Sequence, residues 1–395
     1  MPAKQFSNFD FQEEYVCKDF DSKQRAWLEV DSTAIEANTR ILKTIVGSHC
    51  NLMAVVKADG YGHGAVTVSK AALRGGANSF GVATIQEGIQ LREAGLDCPI
   101  LLLGNLTNVN QFAYCLHWNL TPTLSSVREA LLCQNLAEGS GKIFNVQLKV
   151  DTGMTRLGCD LFEVNEIFEA INSLQNLNLE GIYSHLALAD GDLQGQSEIF
   201  TAIQQERFER IVDSLSQKKK GLCFHLANSA GTLRNPSLHY DMVRVGLALY
   251  GHNPLNSCKI DFDFQPAISV KARVTLLRTV PSGTGVGYGH TFITTRKTSL
   301  AVIGIGYADG VSRLLSGKIS ALYKGNLLPQ VGSIAMDQLV LDITDHSDLK
   351  IGDIVTLLGH DGYQSIEIHQ WSKSMGSIPW EVLCGFKNRL PRVVV

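Results

Sequence analysis

The sequence predicts a TIM-type (β/α)8 barrel followed by a mostly antiparallel β-domain, an α/β fold class. Up to about residue 256, eight short apolar runs alternate with amphipathic stretches of helical period. Beyond that point the helical period largely disappears, and β-rich runs separated by Gly and Asp turns replace it. The eight runs of the first part are Leu52–Ala58, Phe80–Ala83, Ile100–Leu103, Thr121–Leu124, Asn145–Val150, Leu179–Ser184, Cys223–Ala227 and Met242–Gly246.

Helices are expected between these runs, and the alternation also fits a doubly wound open sheet. No Gly-x-Gly-x-x-Gly fingerprint follows an early strand, which weakens that alternative. We expect an N-terminal extension over residues 1–24, a barrel over 25–255 and a β-domain over 256–395. The helix-like segments are Ala65–Gly75, Ile85–Ala94, Ser126–Ala137, Gly195–Gln217 and a stretch near Ile366–Met375; the β-domain runs are Val270–Thr279, Thr298–Ile305, Ile319–Tyr323, Asn326–Gln330, Leu339–Ile343 and Asp353–Leu358.

Charge and composition exclude several classes of protein. The formal net charge is −3, so nothing electrostatic indicates a nucleic-acid or membrane partner, and no apolar run is long enough to span a bilayer. The nine cysteines are scattered without a CxxC pair, which favours reduced thiols and a cytoplasmic protein. We expect no signal or transit peptide in the first residues. No metal-ligand spacing, P-loop or Ser-His-Asp signature occurs, so no metal is expected.

The chemistry is expected where barrel strands end, because catalytic loops lie at that face. Lys57 directly follows an apolar run, where a lysine is costly unless it is paired at the rim or used covalently, as Schiff-base chemistry requires. Ser229 could cap the next helix or, with Gly246, hold a phosphate, and His185 could be purely structural. Together these residues fit a phosphorylated cofactor that bonds to an amine. Other polar residues at strand ends are Lys149, Asp151, Arg156, His225, Asn228 and Arg244.

The segment Ala54–Gly64 (Ala-Val-Val-Lys-Ala-Asp-Gly-Tyr-Gly-His-Gly) resembles the pyridoxal-phosphate (PLP) attachment segment of alanine racemases. The resemblance extends over nearly the whole chain, from about Arg25 to Val395. It implies a PLP enzyme that interconverts L- and D-alanine as a head-to-tail homodimer and supplies D-alanine for peptidoglycan. Further similar motifs, in family order, are Lys149–Gly158, His185, Ala227–Ala230, Arg244–Gly246, Gly287–Gly289, Gly304–Gly310, Met336–Gln338 and Pro391–Arg392.

The resemblance also implies residue roles. Racemisation removes a proton from one face of Cα and returns one to the other, so two opposed bases are needed. Lys57, which would also carry PLP, would serve the D-face, and Tyr288 of the partner subunit the L-face. Lys149 matches a lysine that is carbamylated in many family members. Cofactor contacts are implied for Tyr61, Arg156, His185, Asn228, Ser229, Arg244, Gly246 and Trp380, and substrate contacts for Arg156, Tyr307 and Met336.

Two departures from the family pattern leave alternatives open. Trp380 replaces the usual Tyr near the entrance, and Ser333 lies in a segment that lacks the Arg and Cys often found before Met336. A racemase of broader or different specificity, for example for serine or lysine, is therefore one alternative. A non-catalytic PLP carrier and a related decarboxylase are the others. The β-domain and Tyr288 argue against the carrier, and Arg244 argues against the decarboxylase, which uses a carboxylate at that place.

Overall fold

The computed structural model describes Lys23 and residues 25–191, 195–255, 262–346 and 348–395. The expected N-terminal extension, residues 1–24, lies outside the described residues apart from Lys23. The chain separates into two compact units. The larger unit contains Glu29–Ser269, Glu367–Phe386 and Val394–Val395, and the smaller contains Val270–Ile366, Lys387–Val393 and the described residues before Glu29.

The larger unit is built on an eight-stranded parallel sheet that forms a near-closed barrel. Its strand order is β9-β2-β3-β4-β5-β6-β7-β8, so that neighbours in sequence are neighbours in space. β8 and β9 are joined by two backbone hydrogen bonds, from Asp241 to Phe224 and from Arg244 to Ala227, instead of a ladder. The strands are β2 Asn51–Val55, β3 Ser79–Val82, β4 Ile100–Leu102, β5 Thr121–Leu124, β6 Phe144–Lys149, β7 Leu177–Tyr183, β8 Cys223–His225 and β9 Met242–Val245.

Helices alternate with these strands, and several begin at side-chain caps that the sequence encodes. Asp31 accepts hydrogen bonds from the amides of Thr33 and Ala34 at the start of α1, and Thr84 and Glu87 form a capping box at the start of α4. These caps fix where the helices begin after each loop. The helices are α1 Ser32–Val46, α3 Ala65–Arg74, α4 Ile85–Glu93, α5 Val109–His117, α6 Val127–Ser140, α7 Val164–Ser173, α8 Gln196–Leu215, α9 Ser229–Arg234, α10 Ile368–Met375 and α11 Pro379–Gly385.

The smaller unit is a mostly antiparallel sheet. Its main strand order is β15-β14-β17-β10-β1-β19, with β13 pairing β10 and β16, and β18 pairing β17. The pairs of β10 with β13 and β17 are antiparallel. The strands are β1 Ala26–Val30, β10 Ile268–Val280, β11 Gly285–Val286, β12 Phe292–Ile293, β13 Thr298–Ile303, β14 Ser320–Tyr323, β15 Asn326–Pro329, β16 Leu339–Asp342, β17 Ile354–Asp361, β18 Gln364–Ile366 and β19 Arg392–Val394.

The predicted fold class is confirmed, since all eight barrel runs correspond to strands β2–β9. The end of the first run is wrong. The sequence extended it to Ala58, whereas the strand ends at Val55 and residues Lys57–Tyr61 form a separate turn, α2. Ala58 has φ 53, a left-handed conformation that a strand cannot contain. Among the described residues, no helix combines the length and apolar character needed to cross a membrane.

A buried carboxylate organises one turn of the smaller unit. Asp309 is fully buried and accepts two hydrogen bonds from the Arg25 guanidinium, at 2.8 and 2.6 Å, and one from the amide of Gly306 at 3.0 Å. Arg389 lies 3.5 Å from Asp309 and donates to Asp337 at 2.7 Å. Asp309 therefore fastens the turn at residues 304–310 to both ends of the described chain in this unit.

Asp309→Asn is expected to destabilise the protein by ~2–3 kcal/mol. The half-exposed Arg25 donates to both carboxylate oxygens of Asp309, whereas an asparagine has one acceptor oxygen and no charge. The measurement is the urea unfolding midpoint by circular dichroism. Asp345→Asn is the matched control, since Asp345 forms an exposed ion pair with Arg296, and its midpoint should equal that of the parent. Equal midpoints for the two variants would contradict a structural role for Asp309.

Candidate active site

Lys57 begins a left-handed turn at the end of β2. Ala58, Asp59, Gly60 and Tyr61 have φ values of 53, 53, 60 and 51. The left-handed conformation costs ~1–2 kcal/mol for each residue with a Cβ, so this turn is held by its surroundings. It leaves the Lys57 side chain half-buried at the strand end. The sequence placed Lys57 at this face, but it did not indicate the turn.

The environment of Lys57 favours a neutral amine. Burial lowers the pKa of Lys57, and the positive charge of Arg156 lowers it further, whereas Glu87 acts in the opposite direction. The neutral form of a lysine is its nucleophilic form. The position is therefore suited to covalent bonding with a carbonyl group.

Arg244 on β9 is buried, and the groups that accept from its two Nη atoms among the described residues are all neutral. Its Nη1 donates to Nδ1 of His225 at 2.9 Å, and its Nη2 donates to the carbonyl of Ser184 at 2.6 Å and to Nδ1 of His185 at 3.1 Å. Burial lowers the pKa of Arg244 to about 10. Within the described chain, no residue accepts from its Nε–H. One donor of a fixed cation is thus left for a ligand.

The two histidines have defined tautomers. Because Arg244 donates to Nδ1 of both His185 and His225, each neutral ring carries its proton on Nε2. The Nε2 of His225 donates to Oε1 of Gln147 at 2.8 Å. Burial and the charge of Arg244 hold the pKa of both rings well below the usual range. The rings therefore stay neutral and fix Arg244 without cancelling its charge.

Lys149, at the end of β6, is also buried. Its Nζ lies 5.1 Å from the centre of the Tyr183 ring, and the Arg244 guanidinium lies 5.0 Å from the same ring. Burial and the charges of Arg244 and Arg156 lower the pKa of Lys149 to about 7. Lys149 is therefore largely a free amine just above neutral pH.

Two hydroxyl groups converge on Gly246. Ser229 Oγ accepts from the amides of Gly246 at 2.9 Å and Ala248 at 3.4 Å, so its own proton is free to donate. A Cβ added to Gly246 would lie 2.6 Å from the Tyr61 hydroxyl, which has no hydrogen-bond partner in the described parts of the chain. Asn228, not Ser229, caps α9, since its side chain accepts from Gly231. The expected alternative of Ser229 as a cap is therefore wrong.

The charges and donors of the larger unit fit a phosphorylated carbonyl cofactor. Lys57, Lys149 and Arg244 form no salt bridge with any residue that the structure describes, so an anionic ligand would supply the missing charge. The hydroxyls beside Gly246 are suited to phosphate oxygens, and the amine of Lys57 to a carbonyl carbon. No cluster of three metal-ligating side chains occurs among the described residues.

Comparison with known proteins decides the family. The model of the alanine racemase N-terminal domain matches residues 30–254, and that of the C-terminal domain matches residues 267–394. The alanine racemase of Prochlorococcus marinus is 60% identical over 375 residues, which is 95% of this chain and 97% of the relative. The chain belongs to the alanine racemase family. The family resemblance expected from the sequence is thereby confirmed.

Solved alanine racemases share the fold. The enzyme of Streptomyces coelicolor A3(2) superimposes with a TM-score of 0.88 at 33% identity, covering 95% of this chain and 100% of that one. The enzyme of Bartonella henselae, which carries covalently bound pyridoxal phosphate, gives a TM-score of 0.82 at 32% identity, covering 94% and 99%. These matches confirm the barrel followed by a β-domain.

Three of the residues that the family resemblance singled out lie in the smaller unit. Tyr288, Tyr307 and Met336 are 72%, 41% and 52% exposed. The Ser333 hydroxyl donates to the carbonyl of Tyr288 at 2.9 Å. Ser333, a departure from the alanine racemase pattern, therefore holds the backbone at Tyr288.

The remaining expected residues and the missed ones complete the site. Arg156 is exposed and donates to no described residue, and Trp380 is half-buried in α11. The sequence analysis missed Gln147 and Tyr183, which support Arg244 and Lys149. Gln147 lies two residues before Lys149 on β6, and residues two apart on a strand share a face. Tyr183 is the last residue of β7, and His185 follows that strand. The strand period marks a shared face, but the contacts of Gln147 with His225 and of Tyr183 with Arg244 depend on the closed barrel.

Proposed function

We propose that this chain interconverts L- and D-alanine with PLP bonded to Lys57. The observation that carries the proposal is a half-buried amine of lowered pKa in the same unit as a buried arginine that forms no salt bridge with a carboxylate among the described residues. Membership of the alanine racemase family supports the reaction. When bound, PLP supplies an electron sink that makes the Cα proton of an amino acid acidic.

The chain's own residues would hold this cofactor and tune it. Tyr61, Ser229 and Gly246 would bind the phosphate, with the Gly246 amide exchanging its bond to Ser229 Oγ for a phosphate oxygen. Asn228 would fix the loop before α9, and Trp380 would lie near the entrance. Arg244 would donate its remaining Nε–H to the ring nitrogen. A cation there disfavours protonation of the ring and so limits side reactions. His185 would hold Arg244 in place, and Arg156 would donate to the phenolic oxygen.

Proton transfer would use two bases. Lys57 would exchange the proton on the D-face of Cα, and Tyr288 of a second subunit would serve the L-face. Arg156 and the amide of Met336 would bind the substrate carboxylate, and Tyr307 would stand at the entrance. Activity would therefore require a homodimer.

Lys149 is proposed to be carbamylated. Its free amine, which its pKa of about 7 makes abundant, attacks the carbon of CO₂, and the amine proton leaves to solvent. The product is an anion where a cation stood. Such a group would steady Arg156 and balance the charge of Arg244.

We also propose the domain order expected from the sequence, with an extension over 1–24, a barrel over 25–255 and a β-domain over 256–395. The compact units differ from these bounds, since Glu367–Phe386 belongs to the larger unit and residues 25–28 belong to the smaller one. The family matches at 30–254 and 267–394 support the last two. From membership of the family we propose a cytoplasmic role in supplying D-alanine for peptidoglycan.

The test is hydrogen exchange followed by NMR. Purified protein with PLP and L-alanine in D₂O is expected to give deuterium at Cα together with D-alanine in a chiral assay. Lys57→Ala should lose both, whereas Lys70→Ala, a change at an exposed lysine, should keep both. An inert parent protein, or a fully active Lys57→Ala variant, would overturn the proposal. Parallel incubation with L-serine tests the broader specificity that Trp380 leaves open.

Gly246→Ala is expected to weaken PLP binding by about tenfold or more, since the new methyl group would overlap the Tyr61 hydroxyl. Fluorescence titration of the PLP-free protein measures the dissociation constant. Gly139→Ala is the matched control, because a Cβ there meets nothing within 4 Å. Unchanged affinity in Gly246→Ala would argue against a phosphate site at this place.

A further inference from the structure

We propose that Glu87 is a positioning residue for Lys57. Its carboxylate binds the left-handed turn that contains Lys57 and also binds the end of the neighbouring strand β3, so that the two are held together. The inference rests on the proposed function, in which Lys57 bonds to PLP. Glu87 lies in the larger unit, in the first turn of α4, and was not among the residues that the sequence singled out.

The turn after β2 requires an external restraint. Three residues with side chains, Ala58, Asp59 and Tyr61, adopt left-handed φ values within four positions. Such conformations persist only where surrounding contacts outweigh their cost. On one side, the Asp59 carboxylate accepts from the amide of Ala65 at 3.0 Å. On the other, the amide of Ala58 donates to Oε1 of Glu87 at 2.7 Å.

Glu87 spans two strand ends with its two carboxylate oxygens. Oε1 accepts from Ala58, next to Lys57, while Oε2 accepts from the amides of Ala83 at 2.7 Å and Thr84 at 3.1 Å, directly after β3. Three backbone donors thus share one anion. A glutamine at position 87 would have a single acceptor oxygen. Its NH₂ group would face the backbone N–H groups at one of the two strand ends, where two donors cannot form a hydrogen bond.

Helix capping alone does not require this arrangement. A capping box needs an acceptor for the N-cap amide, and glutamine also supplies one. Glu129, at the start of α6, shows the simpler case: it accepts from the amide of Ser125 at 2.6 Å, while its own amide donates to Ser126. Glu129 makes no bond to the Lys57 turn. The bond from Ala58 is therefore the feature that distinguishes Glu87.

The charge of Glu87 acts on Lys57 as well. Burial and Arg156 lower the pKa of Lys57, whereas Glu87 and, to a smaller extent, Cys384 raise it. The charge of Lys57 is in turn one of the causes that lower the pKa of Lys149. Removing the negative charge of Glu87 would therefore lower the pKa of Lys57 further and shift the onset of its nucleophilic form to lower pH.

The test compares Glu87→Gln with Glu129→Gln. The full-length protein is stripped of PLP, labelled with trinitrobenzenesulfonate over a pH series, and the labelling of Lys57 is followed by peptide mass spectrometry. We expect the Lys57 labelling midpoint to shift to lower pH in Glu87→Gln and to stay at the parent value in Glu129→Gln. PLP affinity should fall by about tenfold in Glu87→Gln alone.

The outcomes separate this inference from the proposed function. A parent protein that takes up no PLP at Lys57 would overturn the function. If the parent protein does take up PLP at Lys57, identical Lys57 labelling midpoints and identical PLP affinities in the two variants would overturn the role of Glu87. If Glu87→Gln does not fold, Glu87→Asp replaces it. The shorter aspartate keeps the negative charge but cannot contact both strand ends. PLP affinity should therefore fall, while the Lys57 labelling midpoint stays near the parent value. Full parent affinity would argue against a positioning role for Glu87.

Discussion

Replacing Tyr288 by Phe is expected to lower racemisation by about 10²–10⁴-fold while leaving exchange of the D-alanine α-proton in place. The phenol is the proposed base for the L-face, and Lys57 on the D-face is untouched. Proton NMR in D₂O, run separately with D-alanine and L-alanine, measures both rates. The variant should exchange D-alanine without inverting it and should leave L-alanine almost unexchanged.

Tyr363→Phe is the control, because Tyr363 belongs to the same unit and is fully exposed. It should match the parent on both substrates. Equal loss of exchange with D- and L-alanine in Tyr288→Phe would contradict the assignment of the two bases to opposite faces.

Mixing inactive chains tests whether Tyr288 comes from the partner subunit. In a mixed dimer of Lys57→Ala and Tyr288→Phe chains, one site would combine the intact Lys57 of one chain with the intact Tyr288 of the other. Random reassortment should then restore roughly a quarter of the parent activity. No recovery, with mixed dimers shown by native mass spectrometry, would place both residues of a site in one chain.

Arg244→Glu is expected to convert part of the racemase activity into transamination, and to reduce racemisation by about 10²–10³-fold. A carboxylate at the proposed ring-nitrogen position would favour protonation of the ring, where the arginine disfavours it. Pyruvate formed from alanine measures the side reaction, and a chiral assay measures racemisation. An unchanged rate of pyruvate formation would contradict the proposal that Arg244 limits transamination by disfavouring protonation of the ring.

The buried hydrogen bonds of Arg244 determine which control variant this experiment needs. Its guanidinium satisfies the carbonyls of Ser184 and Leu226, so any replacement leaves buried acceptors without a donor. Arg244→Gln removes the same bonds without adding a negative charge. Racemisation should fall in both variants, but pyruvate formation should rise clearly in Arg244→Glu alone.

The strands and most of the candidate site residues could be found from the sequence because they depend on short-range patterns. Each barrel strand is a brief apolar run that ends in polar residues, and the lysine, arginines and histidines follow at those ends. Parallel strands bring their carboxyl ends to one face. The sequence therefore predicts that Lys57, His185 and Arg244 lie at the same face of the barrel.

The residues that hold the site residues in place could not be found from such short-range patterns. Gln147 and Tyr183 read as ordinary strand residues until the barrel closes and brings His225, Arg244 and Lys149 around them. Glu87 reads as a helix cap, and its second role appears only when β2 and β3 pair and bring Ala58 within 2.7 Å of its carboxylate. Nothing in the local sequence records such pairings.

The sequence by itself determined the fold class, the family resemblance and the residue types available for chemistry, because periodicity and motif spacing are properties of the chain. The tertiary structure alone decided the left-handed turn at Lys57, the tautomers of His185 and His225, and the low pKa of Lys149. Each of these depends on which groups exclude water from a side chain or donate to it. Those neighbours come from strands far apart in sequence, so only the folded barrel brings them together.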